Sequence, residues 1–278
     1  MATEDFFPRG TKLPKQSPLF WVQQKDRYLR QLLIQDIECE TERRLIVYFA
    51  NRYADACEIN IGDISYITEL VGDLDGKPTD LLLNTGGGQT DATEAIVSLL
   101  QSTIDDLRVI VPHSAKSNGT MICLAASKIV MGAPSELGPI DPYLNGTPTS
   151  ILAEPTVAAQ NFALHKLAMY AIEQTKKLAK SLLSGGMMSG RPEAEIDETI
   201  RKLASRDEFF SHGSVIDHVE AENLGLEVEY LPQDDVLWQK LWLLYSMYAH
   251  DAGQSGVVKI FEGRSISTAV LPPTNGTP

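Results

Sequence analysis

Two segments of the chain combine residue types and spacing that could perform acyl transfer. The first, Asn84-Thr85-Gly86-Gly87-Gly88, closes the apolar run 80–84 (DLLLN). Glycines at such a place let another backbone come close and leave N–H groups free to face an acceptor. Alone the segment says little, because a glycine turn between strand and helix serves structure or phosphate binding more often than an oxyanion. It does not follow the Walker pattern, and GGGQTD does not satisfy GxGxxG. The second segment, His113-Ser114-Ala115-Lys116-Ser117-Asn118-Gly119-Thr120, stands between the runs LRVIVP and MICLAAS. A serine at the first turn of an apolar helix is ordinarily its N-cap. It becomes a nucleophile when its hydroxyl lies beside free N–H groups at the helix start, where developing negative charge is stabilised. Both segments follow predicted strand ends, so they can meet in space, and that pairing carries the functional reading.

The elements that must position them are legible as periodicity. Residues 44–50 (RLIVYFA), 80–84, 107–112 and 128–131 (KIVM) are continuous apolar runs that predict strands. Helical spacing is expected over 20–36, 63–74, 91–104, 117–126, 156–183, 193–205, 216–224 and 234–250. Unbroken apolar strands alternating with helices imply a parallel sheet covered by helices, an α/β fold. Residues 138–142 (GPIDP) read as a turn, 143–155 as loop and 271–278 as a Pro/Gly/Thr-rich tail. Residues 1–19 read as a flexible arm, 20–250 as the main domain and 251–278 as a C-terminal extension with a disordered end. The stripe Leu237, Leu241, Leu244, Tyr245 and Tyr248 reads as core or subunit contact.

Composition excludes several classes. A net charge of −13 argues against nucleic-acid binding, which needs clustered Lys and Arg, and disfavours anionic membrane surfaces. Cys39, Cys57 and Cys123 have neither CxxC nor His-paired spacing. Reduced cysteines in a cytoplasmic protein are the simplest reading, with no disulfide framework, no metal and no cofactor. No window approaches the ~20 apolar residues of a membrane span, and the first residues lack a signal-peptide pattern.

The order NTGGG, then AKSNGT about thirty residues on, then IVMGAPSELGPIDP resembles the ClpP-class peptidases. It most resembles the serine dehydrogenase proteinase family, whose members show NTPGG, AKSAGT and a SELGPIDP-like run. The similarity extends over roughly residues 20–250, including Ser211-His212-Gly213 and EAENLGL. It implies a Clp/crotonase-like fold of repeated ββα units with a helical C-terminal portion. It also implies a serine endopeptidase acting on peptides or unfolded proteins, and a homo-oligomer. Ser117 takes the nucleophile position, Gly87 and the main chain of Asn118 the oxyanion hole. Gly86, Gly87 and Gly88 would bind substrate as an added strand. Gly86 stands where the family often has Pro, and Asn118 replaces a small residue.

A serine also needs a base. No His follows Ser117 until His165, so a ClpP-like His at short interval is missing. Related signal-peptide-peptidase enzymes use a helical lysine. Lys166, 49 residues on, is the corresponding candidate and implies a Ser-Lys dyad, with Tyr170 one turn later on the same face. Lys116 should point away from Ser117. Asp141 reads as a turn residue able to orient a base, and His212 as a core or capping residue. Two readings compete with peptide hydrolysis: a scaffold that has lost its base, and acyl-CoA chemistry on the same fold.

Overall fold

The computed structural model describes residues 17–273. Most of the expected N-terminal arm and the end of the tail lie outside the described residues. The N-terminal helix of the sequence reading divides into α1 (Pro18–Gln23) and α2 (Lys25–Thr41). There follow β1 (Arg44–Ala50), α3 (Asp63–Gly72), β2 (Thr79–Asn84), α4 (Thr90–Thr103), β3 (Leu107–Val111), β4 (Ser114–Ala115), α5 (Asn118–Leu124), β5 (Lys128–Met131) and β6 (Glu136–Leu137).

The 143–155 segment, expected as loop, holds a small hairpin, β7 (Tyr143–Leu144) and β8 (Thr147–Pro148), then α6 (Thr149–Leu152). Asn145 and Gly146 sit at φ 51° and 77° between the two strands, the turn chemistry that the Asn-Gly pair favours. The long helix expected over 156–183 is two helices, α7 (Pro155–Gln160) and α8 (Phe162–Gly185). Asn161 ends the first and caps the second, its side chain accepting from the Leu164 N–H. The chain then forms α9 (Glu193–Leu203), α10 (His218–Asn223), β9 (Val228–Tyr230) and α11 (Val236–Ser255). It ends in β10 (Lys259–Glu262) and β11 (Ser267–Val270).

Seven strands make the central sheet in the order β11-β10-β1-β2-β3-β5-β9. The run from β1 to β9 is parallel, and β10 and β11 complete it antiparallel. Residues 259–270, read from the sequence as an extension, therefore belong to the same sheet. Every residue of β1 is buried, and its alternation explains how. Ile46, Tyr48 and Ala50 face a core shared with α3, α4, α5, α8 and α9, while Leu45, Val47 and Phe49 face α2 and α11. A parallel sheet covered on both faces requires such continuous apolar runs.

Two buried polar networks anchor β10. The Lys259 ammonium donates to both Asp63 carboxylate oxygens at 2.8 Å, and the Tyr48 hydroxyl donates to the same carboxylate at 2.6 Å. Glu262, fully buried, accepts from Arg30 of α2 at 2.7 Å and from the Tyr248 hydroxyl of α11. A buried charge left unpaired would be costly, and each of these has its partner.

Just past β5, Gly132 lets α11 approach closely: a Cβ there would lie 2.3 Å from the Trp238 ring. Overpacking a core contact costs about 1–3 kcal/mol. Gly132→Ala is therefore expected to lower the urea midpoint by a corresponding amount. An unchanged midpoint would show that α11 can slide without penalty.

Candidate active site

Parallel strands deliver their loops to one edge of the sheet, and the loops after β2 and β3 are neighbours there. Beyond the sheet the two chains keep pairing. The Thr85 N–H donates to the Ser114 carbonyl at 2.8 Å, and the Lys116 N–H returns to the Thr85 carbonyl at 3.1 Å. This brings the glycine loop and the serine segment together. A Cβ on Gly87 would lie 2.8 Å from the Ser117 Cβ and 3.2 Å from the Asn118 nitrogen. Gly87 also adopts φ 99°, so glycine is required there on both grounds.

Ser117 is half-buried and sits at φ 54°, ψ −120°, immediately before α5. A non-glycine residue there costs of order 1–3 kcal/mol and persists only when its surroundings hold it. The Met121 N–H on the Ser117 carbonyl (3.1 Å) and the Gly119 N–H on the Lys116 carbonyl (2.7 Å) supply that hold. The Ser117 side chain does not cap α5. The ordinary N-cap role is thus not the one it fills, and its hydroxyl is left for other work.

The Asn118 N–H is the first of α5 and has no intrahelical partner. The Gly87 N–H is turned to the Thr85 hydroxyl at 3.1 Å. The Asn118 side-chain amide donates to the Gly88 carbonyl and to the Thr90 hydroxyl at 3.3 Å, tying α5 to the glycine loop. One edge of that loop is already occupied. The Ile59 N–H donates to the Gly87 carbonyl (2.8 Å) and the Gln89 N–H to the Ile59 carbonyl (2.9 Å). An added peptide strand would have to use the opposite edge. Gly86 lies at the outer end of the loop, over Arg52.

Lys116 points away from Ser117, as the sequence reading expects. Its ammonium donates to the carbonyls of Leu137 (2.8 Å) and Ser214 (2.9 Å) and pairs with Glu136 at 3.2 Å. Burial pushes its pKa down, against the pull of Glu136. Lys166 is exposed on the first turns of α8, its ammonium 5.7 Å from the centre of the Phe162 ring. Tyr170 is exposed on the same helix. Among the described residues, no hydrogen bond or ion pair joins Lys166 or Tyr170 to Ser117.

A different pair has the form of a base and its orienting group. His212 Nδ1 lies 2.7 Å from an oxygen of the buried Asp141 carboxylate. The Tyr143 ring packs on the imidazole at 4.5 Å, and Arg206 bridges the Tyr143 hydroxyl (2.7 Å) and Asp141 (3.4 Å). The sequence contains both residues, but they are 71 positions apart. The sequence signal was that both lie in segments carrying the family resemblance, the SELGPIDP run and Ser211-His212-Gly213. Their segments are tied to residues on either side of Ser117: Thr120 of α5 donates to the Gly138 carbonyl (2.8 Å), and Lys116 donates to the Ser214 carbonyl. A cleft of about 870 Å³ opens beside Asp141, bordered by Pro142, Ile151, Ile172, Lys176 and Arg206.

Glu136 ties this region together. It accepts from Arg52 at 2.9 Å and from the Ser114 hydroxyl at 3.1 Å, besides pairing with Lys116. Burial alone would push its carboxyl up, but Arg52, Lys116 and Ser114 outweigh that and hold it below the usual 4.5. A carboxylate lowered in the folded state contributes stability above its unfolded pKa and loses it as pH falls through the folded value. Glu136→Gln should therefore lower Tm by a constant amount above about pH 5, with the difference from the parent shrinking below about pH 4. A difference that does not change with pH would assign the contribution to packing.

The sequence matches the ClpP-like SDH-type serine proteinases over residues 61–262. It is 31% identical over 190 residues to one uncharacterized protein of Methanocaldococcus jannaschii, covering 66% of this chain and 63% of that protein. A second uncharacterized protein of the same organism is 30% identical over 157 residues, covering 54% and 52%. The chain thus spans less than two thirds of the length of either relative. Among solved structures, a ClpP1 variant from Listeria monocytogenes is similar at TM-score 0.46 and 15% identity, covering 74% of this chain and 99% of that one. A variant of the membrane-bound stomatin-specific protease 1510-N, in complex with a substrate peptide, is similar at TM-score 0.42 and 24% identity, covering 64% and 72%. With a family match that runs through the glycine loop, the serine segment and the strands that carry them, this chain belongs to the ClpP-like SDH-type serine proteinase family.

Proposed function

We propose that the protein is a serine peptidase in which Ser117 is the nucleophile and His212, oriented by Asp141, is its base. The observation that carries the reading is the serine's own setting: positive φ at a helix start, a hydroxyl that does not cap the helix, and Gly87 packed against its Cβ. With Nδ1–H directed at Asp141, the imidazole keeps Nε2 as the acceptor that a serine proton requires. Ser117 Oγ attacks the peptide carbonyl while His212 takes its proton. Charge on the carbonyl oxygen is met by the Asn118 N–H and by the Gly87 N–H, which leaves the Thr85 hydroxyl to do so. His212 then protonates the departing amine, and water, deprotonated by the same imidazole, releases the acyl group.

Lys166 is the second candidate base, on the resemblance to lysine-dependent relatives. Exposure of its ammonium weighs against it, since a catalytic lysine must be desolvated to lose its proton near neutral pH. The substrate class is peptide or unfolded protein, with the cleft beside Asp141 as the adjoining subsite. Self-association is part of the proposal, supported by the exposed Ile151, Phe162, Leu167 and Tyr170 on α6 and α8. No described helix is long and apolar enough to cross a membrane.

Casein digestion followed by mass spectrometry tests the assignment. Ser117→Ala should abolish cleavage, and His212→Ala should lower kcat by about 10²–10⁴-fold. Lys166→Met should stay within about threefold of the parent, since its change touches no reacting group. Equal cleavage by Ser117→Ala would remove Ser117 as nucleophile. Loss in Lys166→Met with retention in His212→Ala would transfer the base role to Lys166.

A further inference from the structure

Beside the reacting groups lies a buried ammonium that the proposed mechanism does not use. Lys116 precedes the nucleophile and is 6% exposed, yet it is not simply stowed. Each of its three N–H donors has its own acceptor: the Leu137 carbonyl, the Ser214 carbonyl and the Glu136 carboxylate. The groove it occupies is shaped for it, because a Cβ on Gly138 would lie 2.6 Å from the Lys116 Cδ. Glu136 is in turn fixed from the far side by Arg52 and Ser114.

The position of these acceptors matters more than their number. Leu137 is the strand partner of Ala115, and Ser214 is two residues from His212. One side chain thus joins the strand that carries Ser117 to the loop that carries His212, across 98 positions of sequence. The other long-range ties of that loop are few: His212 to Asp141, Arg206 to Asp141 and Tyr143, and the Ile216–Leu137 pairing at 2.9 and 3.1 Å. The first two fix the imidazole relative to Asp141 alone. The Ile216 pairing reaches the strand before Ser117 through β6, and the Ser214 bond reaches it directly, from the residue next to Ser117.

We infer that Lys116 is a positioning residue of this site, an ammonium clamp that sets the distance between the His212 loop and Ser117. The inference rests on the active-site assignment made above. Its charge serves geometry: an ammonium whose three protons are all engaged takes no proton from the serine. Displacing a catalytic group by about 1 Å can cost on the order of 10²-fold in rate. The clamp therefore acts on kcat rather than on substrate affinity.

The test pairs amide hydrogen exchange with steady-state kinetics on a casein-derived peptide. It compares the parent with Lys116→Met, with Lys116→Gln, which keeps an amide donor, and with the control Lys128→Met at the Glu229 pair. Lys116→Met should retain its circular dichroism and show faster exchange over residues 205–216. Its kcat should fall by about 10²-fold with KM within about threefold, Lys116→Gln should lie between, and the control should match the parent. Unchanged exchange with unchanged kcat would overturn the clamp, as would an effect confined to KM. Exchange that rises across the whole sheet, or failure of both Lys116 variants to fold, would make Lys116 a folding residue and overturn the assignment equally. If the parent does not cleave, or Ser117→Ala cleaves as well as the parent, the active-site reading fails. Exchange over 205–216 still decides whether the clamp exists.

Discussion

Thr85 and Ala115 pair as neighbouring strands after the central sheet has ended, and the geometry of the site hangs from their two hydrogen bonds. That pairing presses a glycine loop against a serine at a distance no side chain could tolerate. It also ties the Lys116 backbone, so that the turn into α5 must pass through Ser117 at positive φ. Strain at a single residue is affordable when the residues on either side are each fixed by a hydrogen bond, and here they are. Asn118 reinforces the arrangement by spending its side chain on the glycine loop and keeping its N–H unpaired inside the helix.

The electrostatics around the serine are arranged with little net charge. Arg52, Glu136 and Lys116 form an alternating row, and each carboxylate oxygen or ammonium proton in it has a partner. Partial burial of an unpaired lysine beside Ser117 would favour its neutral form and leave two carbonyls without donors. Glu136 works against that burial, and both carbonyls have their donor. Asp141 is likewise buried but engaged by His212 and Arg206.

The same logic runs through the scaffold. β10 carries Lys259 and Glu262 into the interior, where the first meets Asp63 and the second meets Arg30 and Tyr248. These charges make the strand look like a polar surface segment when read along the chain. In three dimensions they fasten α2, α3 and α11 to the strand beside β1. Hydrophobic burial sets the layers, and removing one partner of a buried pair would leave the other charge uncompensated.

What the sequence alone determined is what local periodicity and ordered motifs encode. Continuous apolar runs such as RLIVYFA and DLLLN can be satisfied only between two helical layers, so the α/β class and the parallel core were legible. So was the meeting of the glycine loop with Ser117, because both segments leave adjacent parallel strands at the same edge. The tertiary structure decided everything that depends on distant partners. The Asn145-Gly146 hairpin and the break at Asn161 had local signals that were overridden by surrounding loop and helix patterns. In the strand 259–262 the charges of Lys259 and Glu262 masked the apolar Ile260 and Phe261, since buried charges mimic exposed ones until their partners are known. The same holds at the site. The hydrogen bond between His212 and Asp141 joins residues 71 positions apart, and such a contact leaves no periodicity in the sequence. The helical placement of Lys166 is visible in sequence, whereas the exposure of its side chain is set by what packs against that face.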